Sequence, residues 1–204
     1  MEDNKDRRIK TFNLMRDLIK TQLQLITHDG DIHDENFDEL REGLIETPDR
    51  VAKAMAAWFS GYNQKAEDIL KVFEDGAEGY HEMVVVKDIP IFSKCEHHMA
   101  DIFGTATIAY IPDNKIVGLS KLSRLADMFA RRLQVQERLT TDIANALEDN
   151  LQPLGVAVVI KARHMCMESR GINRSGSHTV TSSFKGKLQS GDLRREFMDI
   201  VNAS

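Results

Sequence analysis

Two cysteines in a chain of 204 residues, each close to histidine, set the first demand on the fold. Cys95 opens the quartet Cys95-Glu96-His97-His98, which follows a short apolar stretch containing Ile89, Ile91 and Phe92. Cys166 closes the triplet His164-Met165-Cys166. The C-x-x-H spacing of Cys95 and His98 lets one tight turn present a thiolate and an imidazole to a single metal ion. A chain that adds Cys166 from a distant segment must carry both segments to one point. The resulting Cys₂His set leaves one coordination position of zinc open, a catalytic rather than a structural pattern. Two plainer readings stand beside it, a disulfide and a pair of buried apolar cysteines. A lone C-x-x-H is a weak signal. The histidine beside each cysteine, and the lack of a C-x-x-C pair to close a four-ligand site, favour the metal.

The remaining composition narrows the class. The chain is 42% apolar and 29% charged, ordinary for a water-exposed globular fold, and long enough for one domain with an appendage. A net charge of −5, without a basic tail or face, argues against a general nucleic-acid binder, although local cations can still form an anion site. Residues 1–10 are highly charged and lack the apolar centre of a signal peptide, and no apolar run approaches bilayer length. No nucleic-acid or membrane partner is expected. Two cysteines without an export signal fit a reducing cytoplasm.

Hydrophobic spacing predicts a helix over residues 5–26 and a polar loop over 27–37. A second helix starts at Thr47-Pro48 and stops near Gly61, and a short one covers residues 66–73. The texture then changes near residue 82. Residues 83–86 and 105–111 read as strands, and Pro112-Asp113-Asn114 reads as a turn, with 115–119 as the returning strand of a hairpin. Helices follow over residues 121–132 and 136–150, then a buried strand from Val156. Residues 179–184 form another strand and 193–201 a closing helix. This order predicts an α+β fold with an antiparallel sheet, a helical region over residues 1–80 and a sheet-containing domain over 81–204. If the strand from Val156 runs on to Met167, alternation places His164 and Cys166 on one face. A histidine beside the metal could then move protons near neutral pH; a purely structural histidine is the alternative.

Taken together, several segments resemble GTP cyclohydrolase I. They are Cys95-Glu96-His97-His98, Gly118-Leu119-Ser120-Lys121-Leu122, the run from Phe129 through Gln136-Glu137-Arg138-Leu139-Thr140, and His164-Met165-Cys166 with Arg170-Gly171-Ile172. The match runs in order over residues 47–197, and its specificity lies in the combination. The resemblance implies the tunnelling fold: an antiparallel sheet with helices on one face, joined between subunits into a β-barrel ring. It implies a homodecamer of two stacked pentamers. The implied reaction converts GTP and water to formate and 7,8-dihydroneopterin triphosphate, at the head of tetrahydrofolate synthesis or of 7-deazaguanine synthesis.

By the same resemblance, Cys95, His98 and Cys166 bind zinc, which activates water for attack on C8 of guanine. His97 and His164 form the acid–base pair. Glu137, with Gln136, reads the guanine edge, since a carboxylate accepts from both the N1 and exocyclic amino donors. Ser120, Lys121, Arg124 and Arg170 take the triphosphate, joined by Arg50 from a neighbouring subunit. Each basic residue alone would read as a solvated charge. One departure falls at residues 99–103 (Met99-Ala100-Asp101-Ile102-Phe103), where many members of the family are more apolar and often carry proline. It leaves the ligands intact and bears on local packing and access. Two other classes compete. A nucleobase deaminase pairs H-x-E with P-C-x-x-C, and the chain has no P-C-x-x-C. A non-catalytic, zinc-stapled ring would have no reason to keep His97, His164, Glu137, Lys121 and Arg170.

Overall fold

The structure, a computed structural model, describes residues 2–28, 30–73 and 79–203. The chain forms two compact units, Met1–Ala57 and Trp58–Ser204. In the first, helix α1 (Glu2–Thr27) leads into turns and then helix α2 (Thr47–Trp58). His28 organises the turns: its Nδ1 lies 3.2 Å from Asp34, its Nε2 lies 3.3 Å from the Glu39 carbonyl, and its ring packs against Phe37. Helix α2 begins where expected, with the Arg50 amide donating to the Glu46 carbonyl at 3.1 Å.

The second unit contains a short helix α3 (Ala66–Ile69), strands β1 (Val72–Phe73), β2 (Val84–Cys95), β3 (Asp101–Ile111) and β4 (Ile116–Val117), and helix α4 (Leu119–Ala130). Strand β5 (Leu133–Gln134), helix α5 (Gln136–Leu151), strand β6 (Gly155–His164), the single helical turn α6 (Met165–Glu168), strand β7 (Thr179–Gly186) and helix α7 (Gly191–Asn202) complete it. The main sheet has the order β5-β2-β3-β6-β7, antiparallel except for the short parallel β2–β5 pair.

Alternation along β3 and β6 divides the core in two. Ala106, Ile108, Tyr110, Val156, Val158 and Ile160 face α4 and α5, whose apolar stripes contribute Leu122, Leu125, Leu139, Ile143 and Leu147. Ala109, Ile111, Ala157 and Val159 point the other way, against Leu188 and Phe197. The helices therefore do not all lie on one face. Helix α7 covers part of the second face because Phe197, Leu193 and Met198 supply it with an apolar stripe of its own.

Three local expectations are corrected. The helix expected over residues 66–73 ends at Ile69, because Val72 and Phe73 pair instead with Val117 and Ile116. The hairpin expected between residues 105–111 and 115–119 does not form. β3 is already paired on both sides, by β2 and β6, and the Val117 amide donates instead to the Tyr110 hydroxyl at 3.3 Å. The strand from Val156 stops at His164, where α6 begins, so Cys166 lies on a helical turn rather than on the strand face.

Candidate metal centre and its surroundings

The Cys95–His98 quartet is the loop of the β2–β3 hairpin. The Cys95 amide donates to the Ala100 carbonyl and the Met99 amide to the Cys95 carbonyl, both at 2.8 Å. Met99 closes the turn in the left-handed region at φ 53°. Asp101 and Ile102 are thus the first residues of β3, with Ile102 buried opposite His164. Residues 99–103 are part of the hairpin that presents Cys95 and His98. One step further, Gly104 faces Ala162, and a Cβ there would lie 2.0 Å from the Lys161 carbonyl oxygen. Only glycine lets β3 and β6 approach this closely beside His164.

The donor atoms of Cys95, His98 and Cys166 all lie within 4.8 Å of one another. Both cysteines are free thiols, which disposes of the disulfide reading within this structure. Two soft sulfur donors and one imidazole form a set that can hold a metal ion and suits a zinc-like cation. Cys95 is buried, and its sulfur lies 3.8 Å from His98 Nδ1 and 3.9 Å from His97 Nδ1. Burial and the neighbouring Cys95 sulfur push the Cys166 thiol up from its ordinary range, while Arg170 pulls it down. Arg170 is thereby close enough to act electrostatically on the cluster.

Two arginine–carboxylate pairs brace the centre. Glu96 is ion-paired with Arg138 of α5, which holds its carboxyl below the usual range; Arg138 also donates to Gln134 Oε1 at 3.1 Å and the Leu133 carbonyl at 3.2 Å. Gln134 in turn accepts the Glu96 amide at its backbone carbonyl, 3.0 Å away. On the other side Arg163 Nε donates to Glu168 at 2.8 Å, lowering that carboxyl across α6. Sequence reading attached no role to Arg138, since its partner is 42 residues away and no helical spacing connects them.

His164 is half-buried, and burial lowers its pKa while the nearby Glu137 carboxylate opposes the shift. Its Nε2 lies 2.7 Å from Gln136 Oε1. Gln136 and Glu137 are consecutive residues of the first turn of α5, about 100° apart around a helix of 3.6 residues per turn. Gln136 points inward and is 1% exposed, whereas Glu137 is exposed. The structure thus brings together Cys95, His97, His98, Cys166, His164, Gln136, Glu137 and Arg170. Ser120, Lys121 and Arg124 lie on the first two turns of α4, with Ser120 and Arg124 exposed. Arg50 belongs to the N-terminal unit, where it pairs with Glu46.

A family model described as GTP cyclohydrolase I matches residues 32–202. GTP cyclohydrolase 1 of Janthinobacterium sp. (strain Marseille) is 59% identical over 176 residues, covering 86% of each chain. The protein of that name from Nitrosospira multiformis is 53% identical, over 81% of this chain and 87% of its own. That from Saccharomyces cerevisiae is 54% identical, over 80% of this chain and 68% of its own. With its ligand triad assembled and most of its length matched, the chain belongs to the GTP cyclohydrolase I family.

Proposed function

We propose that the protein converts GTP and water to formate and 7,8-dihydroneopterin triphosphate, a precursor of folate-type pterins. The observation that carries this reading is the meeting of Cys95, His98 and Cys166 from two distant segments, with His164 held beside them. Cys95, His98 and Cys166 would hold zinc. When bound, the ion supplies Lewis acidity that activates water at neutral pH.

The protein's own groups do the rest. Glu137, exposed on the first turn of α5, accepts from the N1 and exocyclic amino donors of guanine and orients the ring. His164 and His97 exchange protons with the purine nitrogens as the imidazole ring opens and formate leaves. Arg170, beside Cys166, and Lys121, Arg124 and Ser120, at the start of α4, take the triphosphate. A helix N-terminus adds its partial positive charge to that task. Arg50 completes the phosphate site from a neighbouring subunit, while residues 81–204 carry the rest of the chemistry.

The assembly is a ring. Among the described residues, the outer edge of β7 and the edge of β2 over residues 84–93 have no strand partner in this chain. Edges of this kind in neighbouring subunits close into the barrel of a tunnelling fold, two pentamers making a homodecamer. Free cysteines at the centre suit a reducing compartment such as the cytoplasm. No described helix is long and apolar enough to cross a membrane.

Incubating the purified protein with GTP tests the reading. Formate and a fluorescent oxidised pterin are expected, and a strong zinc chelator should stop both. Full zinc occupancy without product would sink the proposal. A molecular mass in solution below that of a pentamer would remove the ring.

A further inference from the structure

Gln136 was expected at the guanine edge beside Glu137, but its amide is committed elsewhere. The nitrogen lies 3.0 Å from the Ile160 carbonyl, 3.0 Å from the Thr179 carbonyl and 3.1 Å from Thr181 Oγ1. Carbonyl oxygens only accept, so chemistry assigns the NH₂ end of the side chain to this side. The Oε1 end must then face His164.

The hydroxyls around it are directed as well. Thr140 donates to the Gln136 carbonyl at 2.7 Å, so at the 2.6 Å contact between the two threonines the Thr181 hydroxyl is the donor. Thr181 therefore offers a lone pair, and no donor, to the amide. With two amide hydrogens shared among three acceptors, none is left for a purine. The amide joins α5, β6 and β7 at one buried point.

We propose that Gln136 is a positioning residue, which fixes the ring orientation and tautomer of His164 rather than reading guanine. Its Oε1 can only accept, so His164 Nε2 carries the hydrogen, and Nδ1 is the one lone pair of the neutral ring. A histidine that moves protons is thus held with one nitrogen anchored and the other open. This inference rests on His164 having the acid–base role given above, yet it makes a claim about the resting protein that needs no turnover.

Two measurements decide it. The first is ¹⁵N NMR of the zinc-loaded wild-type protein labelled in histidine, with the His164 signals identified by their loss in His164→Ala. A protonated Nε2 and bare Nδ1 are expected; the opposite tautomer would overturn the proposal. This result stands whether or not the protein releases formate, so it separates the inference from the proposed reaction. The second is steady-state kinetics of Gln136→Met, with zinc per chain and melting temperature measured on the same sample. The expected result is a kcat lower by about tenfold or more, the scale of a disturbed proton transfer. KM should stay within about threefold and zinc should be unchanged. A raised KM with kcat retained would return Gln136 to the guanine edge. Parallel loss of zinc and activity would make it a prop for the fold and also refute the proposal. If Gln136→Met does not fold, the tautomer alone decides.

Discussion

The two arms of the candidate metal centre, the β2–β3 hairpin loop and the β6–α6 junction, share several parts and hold them differently. Each supplies a cysteine, a histidine outside the ligand set and a glutamate paired with an arginine. In the hairpin loop the order comes from backbone hydrogen bonds, while His97 is 64% exposed and Glu96 and Arg138 lie at the surface. At the junction it comes from side chains: His164 leans on a fully buried amide, and Glu168 is largely covered. A short hairpin shapes its own turn, so its side chains remain free to respond to what enters. A strand that passes into a single helical turn closes that turn locally, the Ser169 amide on the Met165 carbonyl at 2.9 Å, but depends on its neighbours to seat His164.

The largest effect that could break this comparison is loss of either cysteine. Cys166→Ala and Cys95→Ala should both abolish stoichiometric zinc, with activity falling by about a thousandfold; metal analysis beside the GTP assay checks this. Retained zinc in Cys166→Ala would show that the hairpin suffices alone. Next in size are the histidines. His97→Ala and His164→Ala should each cost about a hundredfold or more in kcat, as expected for lost proton transfer. Added imidazole should restore part of the activity of His97→Ala, whose ring faces open space. It should not help His164→Ala, whose ring sits in a half-buried seat. Equal rescue would erase the contrast between the arms.

Smaller effects sharpen it. Arg138→Ala leaves Glu96 and the Leu133 carbonyl without their partner and loosens the hairpin, so kcat or zinc affinity should fall by about tenfold. Adding Glu96→Gln to Arg138→Ala should cost little more, because the two act as a unit. The smallest difference concerns salt. The Glu96–Arg138 pair is the more exposed, and ions screen exposed charges more strongly. The stability lost in Arg138→Ala should therefore shrink as sodium chloride rises, whereas that lost in Glu168→Gln should change less. Denaturant midpoints at two ionic strengths would show it, and an equal response would show that burial does not separate the pairs.

Local pattern was a good guide wherever the chain's neighbours in space are also neighbours in sequence. Helices α1, α4 and α5 follow from apolar spacing, and Cys95 with His98 follows from a turn of fixed length. It misled where partners are remote. Val72 and Phe73 continue an apolar helical pattern, yet pair with residues 116–117. Residues 115–119 follow a turn, yet the strand before them was already taken on both sides. Gln136 and Glu137 read alike as polar residues at a helix start. Only the position of α5 against β6 and β7 turns one inward and the other out.

The sequence by itself determined which atoms can bind a metal, because thiolate and imidazole chemistry belongs to the residue and two of the three ligands share one short turn. It also determined the α+β class, since periods of 3.6 and 2 are written into local spacing. The tertiary structure alone decided that Cys166 reaches the other ligands from a helical turn. It also decided that Arg138 pairs with Glu96 and that Gln136 Oε1 meets His164 Nε2. Those outcomes depend on strand register and helix packing, which join groups far apart in the chain and leave no periodic trace in it.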